Sequence, residues 1–251
     1  MRAIRVFDSL SSLSRAVAEQ FVEAARDAIA ARGRFVVALS GGSTPRTLYE
    51  QLAAPGFADR IDWTKLLVLW GDERCVNPDD PRSNYGLARS ALLDHVPIPG
   101  SNVRRIEGER GPHAAADDYE RVLGEVFGLH AGRGEMPCFD LILLGLGKDG
   151  HTASLFAGSP ALREEKRWAV DVTMADMDPR VPRVTLAIPV LNAARRVWFL
   201  VSGQGKREAL RAVMRGAPVH SAPYPAGLVR PRGELVWFVD EAAAFPGMPT
   251  A

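Results

Sequence analysis

The stretch Phe139-Asp-Leu-Ile-Leu-Leu-Gly-Leu-Gly-Lys-Asp-Gly-His-Thr-Ala-Ser-Leu-Phe156 reads as a buried strand, a glycine turn and the start of a helix. Phe139 and the run Leu141 to Leu144 are apolar enough for a strand covered on both faces. Gly145, Gly147 and Gly150 allow the backbone to turn sharply, and Thr152 to Phe156 continues as a helix. His151 therefore falls beyond the carboxyl end of a strand, where α/β sheets bind ligands and where a group titrating near neutral pH can act as a base. A lone histidine in a loop is more often structural, so the other loops must carry the argument with it.

Strand-like runs recur outward from this segment: Phe35 to Leu39, Leu66 to Trp70, Val184 to Ile188, Val197 to Val201 and Leu235 to Val239. Residues 11 to 32 place Leu13, Val17, Phe21, Ala24, Ala28 and Ile29 on one helical face, closed by Gly33. Continuous apolar strands separated by helix-length segments predict one α/β domain over residues 1–251, with a mostly parallel central sheet and helices on both faces.

Three further strands end in loops of similar design. Leu39 is followed by Ser40-Gly-Gly-Ser-Thr-Pro-Arg46, in which Ser43 or Thr44 can cap a helix beginning at Pro45. Gly41 and Gly42 let an anion approach the N–H groups at that helix start. The absence of a lysine after the last glycine distinguishes it from a Walker loop. Trp70 is followed by Gly71-Asp-Glu-Arg-Cys-Val76, where Arg74 offers a planar donor set for phosphate and Asp72 or Glu73 can bond sugar hydroxyls; Asn84 follows closely. Val201 leads into Ser202-Gly-Gln-Gly-Lys206, which sets Lys206 at a helix start, a position where a cation is favoured only if an anion answers it. Each loop has an ordinary structural reading as a turn or a solvated charge. Their convergence at one sheet edge predicts a site.

Composition bounds the rest. The chain has 251 residues, 47% of them hydrophobic, and 31 basic against 30 acidic residues leave a net charge of +1. With no long block of either sign, nothing favours nucleic acid or a membrane surface. Cys75 and Cys138 form no CxxC pair, and the five histidines are scattered, so neither a zinc site nor a disulfide framework is expected. No apolar run reaches the length of a membrane span, and no targeting segment is evident at the start, which predicts a cytoplasmic protein. Gly145 to Gly150 also satisfies G-x-G-x-x-G, with Asp171 at the distance of a ribose-binding acid. Asp149 inside the turn argues against a dinucleotide, because it would repel a pyrophosphate.

Taken together, Leu39-Ser-Gly-Gly-Ser-Thr-Pro45, Gly71-Asp-Glu-Arg-Cys-Val76, Ser83-Asn84, Gly145 to Phe156, Arg183-Val-Thr-Leu186 and Ser202-Gly-Gln-Gly-Lys206 closely resemble the 6-phosphogluconolactonase family, in family order over most of the chain. Ala157 stands where that family commonly has proline. The related glucosamine-6-phosphate deaminases share the Gly-Ser-Thr-Pro and Asp-Gly-His elements but differ at Arg74 and after Ala153. The resemblance implies a modified Rossmann-like sheet without a nucleotide. It also implies hydrolysis of 6-phospho-D-glucono-1,5-lactone, without cofactor or metal, by a monomer or at most a weak dimer. It assigns the phosphate to Gly41, Gly42, Ser43, Thr44, Arg74 and Lys206, with Asp72 and Asn84 as further substrate contacts. His151 becomes a general base favoured in its neutral form by the helix start, Asp149 its partner, and the backbone of Gly145, Gly147 and Gly150 the oxyanion contact. A deaminase, or a sugar-phosphate sensor without turnover, remains the alternative.

Overall fold

The protein is described here by a computed structural model over residues 2–173, 179–216, 218–219 and 222–248. In chain order the N-terminal half contains β1 (Arg2–Phe7), α1 (Leu10–Arg32), β2 (Phe35–Leu39), α2 (Ser43–Ala53), α3 (Pro55–Ala58), β3 (Leu66–Trp70), β4 (Asp72–Arg74), α4 (Asn84–Ala91) and α5 (Pro112–Phe127). The remainder contains β5 (Leu141–Gly145), β6 (Ala169–Val172), β7 (Arg183–Leu186), α6 (Ile188–Ala193), β8 (Arg196–Val201), α7 (Arg207–Arg215), the short pair β9 (Pro218–Val219) and β10 (Ala222–Pro223), and β11 (Glu234–Asp240).

Six of these strands form one parallel sheet, ordered β1-β11-β8-β5-β2-β3 and flanked by helices. Its apolar runs are covered as their composition predicts: all five residues of β2 are buried, as are Leu141 to Leu144 of β5. β1 escapes the sequence reading because Arg2 and Arg5 interrupt its apolar pattern, yet it pairs with β11 along its whole length.

α1 matches the predicted helix. Ser9 and Ser12 form a reciprocal cap, Leu13, Val17, Phe21 and Ala28 face the core, and Gly33 ends the helix at φ 74°. The start of α2 differs from the expectation. The helix begins at Ser43 with Gly42 as its cap (φ 109°) and no side-chain cap bond, so Pro45 lies in the first turn instead of opening it.

Two other expectations are corrected. The run Val184 to Ile188 does not join the parallel sheet. Its strand, β7, lies between β4 and β6 in a separate antiparallel sheet, and Ile188 opens α6. Hydrophobicity could not distinguish the two sheets, because Arg183 to Leu186 is buried throughout. Secondly, Thr152 to Phe156 is not a helix. An isolated bridge joins Thr152 to Leu155, and Ala153 takes the left-handed conformation at φ 48°.

Candidate functional site

Leaving the sheet at its carboxyl edge requires the last residues of β2 and β3 to satisfy backbone groups beyond the ladder. Two buried tyrosines from helices do this. The Tyr49 hydroxyl of α2 donates to the Ser40 carbonyl (2.7 Å) and accepts from its N–H (3.0 Å). The Tyr119 hydroxyl of α5 treats Trp70 identically, at 2.8 and 2.9 Å. Burial pushes both phenols far up, so each stays a neutral donor and acceptor. The Ser40–Ser43 and Gly71–Arg74 segments thus leave the sheet from fixed points.

The histidine loop is closed by its own backbone. Gly147 N–H donates to His151 O (2.8 Å), Gly150 N–H to Gly147 O (3.0 Å), and Thr152 Oγ1 to Gly145 O (2.9 Å). The N–H groups of Gly147 and Gly150 are therefore engaged inside the turn instead of facing an oxyanion. Gly150 requires its freedom: φ is 79°, and a Cβ there would stand 2.0 Å from Tyr224 Cδ1.

This turn brings Asp149 Oδ1 to 2.5 Å from His151 Nδ1. An ionised carboxylate only accepts, so Nδ1 carries the hydrogen, and in the neutral ring it is Nε2 that offers a lone pair. Burial raises the Asp149 carboxyl, but the hydrogen bond and charge of His151 outweigh it and hold the group below its ordinary value. The imidazole packs on Phe156 (centroids 4.7 Å apart), whose ring also lies 5.4 Å from the Arg183 guanidinium. The segment after His151 is not helical, so the helix start expected to favour the neutral imidazole is absent, and the Asp149 carboxylate fixes the orientation of the ring.

A buried polar chain joins this loop to the neighbouring ones. Ser154 Oγ donates to Asp72 Oδ2 (2.7 Å), and Asn84 Nδ2 donates to Asp72 O (2.9 Å) and Oδ1 (3.2 Å). The Asn84 carboxamide in turn lies against Gly41, where any Cβ would fall 1.8 Å from Asn84 Oδ1. That oxygen is buried and accepts no hydrogen bond among the described residues. Glu73 fixes Asn84 from behind, because its carboxylate accepts from the N–H groups of Arg74, Asn84 and Tyr85 (2.7 Å each) and from Ser83 Oγ (3.0 Å). Burial pushes this carboxyl up against those bonds.

The fourth loop adds Lys206 to the Lys148 of the histidine loop. Asp240, at the end of β11, accepts from Ser202 Oγ (2.5 Å) and Gly203 N–H (3.0 Å), which shapes the turn carrying Lys206. Burial lowers the Lys206 ammonium, the nearby Lys148 charge lowers it further, and Asp149 partly opposes both. The two lysine loops touch, since a Cβ on Gly205 would lie 3.3 Å from Lys148 Cε. Two ammonium groups near one another and near Asp149 concentrate positive charge of the kind that suits a phosphate. Arg74 is placed differently: its Nη1 donates to the Arg82 carbonyl (2.6 Å), and no described residue bonds it to either lysine.

Residues 8–237 match the family described as glucosamine-6-phosphate isomerases/6-phosphogluconolactonase. The chain belongs to that family. Among its relatives, the 6-phosphogluconolactonase of Synechocystis sp. is 45% identical over 218 residues, covering 86% of each chain. The human 6-phosphogluconolactonase is 41% identical over 248 residues, covering 96% of this chain and 92% of its own. The solved structure of 6-phosphogluconolactonase from Trypanosoma cruzi superimposes with a TM-score of 0.87 at 31% identity, over 99% of this chain and 98% of the other.

Within this member of the family, the structure links Asp149 to His151, and Gly41, Asp72 and Asn84 to one another. Ser43 and Thr44 lie in the first turn of α2. Sequence reasoning overlooked Lys148, Ser154, Arg183 and Asp240 as parts of the site. Lys148 stood inside the quoted glycine turn, and its signal was a cation two residues from Gly150 in a loop already assigned to an anion. Ser154 and Asp240 carried no such signal, because their role depends on partners 82 and 38 residues away. Among the described residues no cluster of His, Cys, Asp and Glu is placed to hold a metal ion, and no helix is long and apolar enough to cross a membrane.

Proposed function

We propose that this protein hydrolyses 6-phospho-D-glucono-1,5-lactone to 6-phospho-D-gluconate, the lactonase step of the oxidative pentose phosphate pathway. The observation that carries the mechanism is the Asp149–His151 pair, which leaves Nε2 as a base beside Lys148 and Lys206. The lysines and the start of α2 at Gly42 to Thr44 hold the phosphate, and that remote binding orients the lactone. Nε2 takes a proton from water as the water oxygen attacks the carbonyl carbon, and Asp149 stabilises the imidazolium. Collapse of the tetrahedral intermediate breaks the ring C–O bond, and the imidazolium returns the proton to the departing C5 oxygen. Asp72 and Asn84 bound the sugar side of the cleft. Asp72 is already engaged by Ser154 and Asn84, so we assign it mainly to holding the loops together. The Oδ1 of Asn84 is buried against Gly41, so we assign Asn84 likewise to holding the loops together.

We assign this activity to a single domain over residues 1–251, acting in the cytoplasm as a monomer or at most a weak dimer. Freshly prepared 6-phosphogluconolactone and, separately, glucosamine 6-phosphate test the activity. Acid release from the first alone is expected. Ammonia from the second would make the protein a deaminase, and binding without either product would make it a sensor.

A further inference from the structure

The sheet edge opposite His151 carries a second basic concavity. A cavity of about 1270 Å³ opens among the amino-terminal ends of β5, β8 and β11 and the end of α1. Five arginines line it: Arg32, Arg195, Arg196, Arg230 and Arg232. Against them stand the lining carboxylates Asp27, Glu135 and Glu234 and, behind the wall, the buried Asp140, an excess of one positive charge (five less four).

These guanidinium groups fall into two sets. Arg32 is bound to the buried Asp140, with Nε and Nη2 at 2.9 and 2.8 Å from Oδ1, and Arg195 Nε approaches the same oxygen at 3.5 Å. Arg196, Arg230 and Arg232 have no carboxylate partner among the described residues. Of the acids present, Glu234 accepts the Trp198 indole N–H (2.9 Å), and Asp27 faces Arg26 at 3.7 Å.

The backbone that presents the three unpaired arginines is fixed independently of any ligand. Arg230 N–H donates to Asn192 Oδ1 (2.6 Å), Arg232 N–H to Asn192 O (3.1 Å), and Asn192 Nδ2 to Leu228 O (3.1 Å). Gly233 packs so tightly on β8 that a Cβ would lie 2.0 Å from Arg195 O, and Glu234 N–H donates to that same carbonyl (2.8 Å). Like charges gathered on a rigid loop repel one another, and an anion with several oxygens relieves the repulsion. The guanidinium fork suits phosphate oxygens in particular. The cavity, at about 1270 Å³, is somewhat larger than the roughly 300–1000 Å³ of typical ligand sites, which leaves room for an extended anion with several phosphates.

We propose that this cavity binds a small molecule bearing linked phosphates, at a site separate from the histidine cleft. The chemistry is shared by nucleoside triphosphates and inorganic tripolyphosphate, so both serve as probes in titration calorimetry with the full chain. Saturable binding of tripolyphosphate is expected, with ATP binding at least as tightly. Arg196→Ala, Arg230→Ala and Arg232→Ala should each weaken it about tenfold, whereas Lys206→Ala leaves it unchanged. Arg230 and Arg232 are exposed, so Arg230→Gln and Arg232→Gln provide conservative variants whose melting temperature verifies the fold. No heat from either probe, binding indifferent to the arginines, or binding abolished by Lys206→Ala would each overturn the proposal.

Discussion

The division of labour at the site is set by individual side chains. His151 has one nitrogen committed to Asp149 and the other free of any hydrogen bond among the described residues, whereas Lys148 and Lys206 make no hydrogen bond to the ring. This separation predicts a kinetic split. His151→Ala should lower kcat by about 10²- to 10⁴-fold, the usual contribution of a general base, with KM little changed. Lys206→Ala should instead raise KM, because it removes binding shared by ground and transition states. Steady-state assays on both variants decide the matter; near-normal turnover without the imidazole would remove it from the mechanism. His151 was legible in the sequence because glycines and an apolar strand fix where it must lie. Its activation was not. The sequence suggested a helix start with Asp149 as partner, and the structure keeps the carboxylate but sets it in a non-helical turn.

At the scale of elements, the catalytic loop works only in the shape its neighbours impose. Gly150 sits at φ 79° with Tyr224 against it, and Ser154 ties the loop to the end of β3 through Asp72. Gly150→Ala would add about 1–2 kcal/mol of left-handed backbone strain and would require the Tyr224 ring to shift. We expect a lower melting temperature and a drop in kcat/KM, both measurable on purified protein. Unchanged values would show that the turn is more pliant than its packing suggests. Parallel strands with continuous apolar runs were readable to within a residue or two, since burial on both faces dictates their composition. β1, β4 and β6 were not, because a charged edge strand and short strands leave no distinctive period, and β7 was legible as a strand but not as a member of a separate antiparallel sheet.

For the whole molecule, folding stability should report the Asp149–His151 contact through pH. The Asp149 carboxyl is held below its ordinary value of 3.8, so its stabilising contribution is complete above that value and is lost as pH falls through the lowered folded one. The difference in melting temperature between wild type and Asp149→Asn should be largest near neutrality and close in acid; a gap independent of pH would refute the linkage. The molecule also separates its charges by sheet edge: lysines beside His151 at the carboxyl ends, arginines around Asp140 at the amino ends. The sequence by itself determined the parallel sheet, the four glycine loops and the placement of His151, because apolar runs and glycines are local constraints on burial and backbone dihedrals. Only the tertiary structure decided that Asp149 touches His151, that Lys148 joins Lys206, and that Ser154, Asp72, Asn84 and Gly41 form one chain. Those contacts depend on how separate loops converge in space, and side-chain hydrogen bonds between distant residues leave no periodic trace in a sequence.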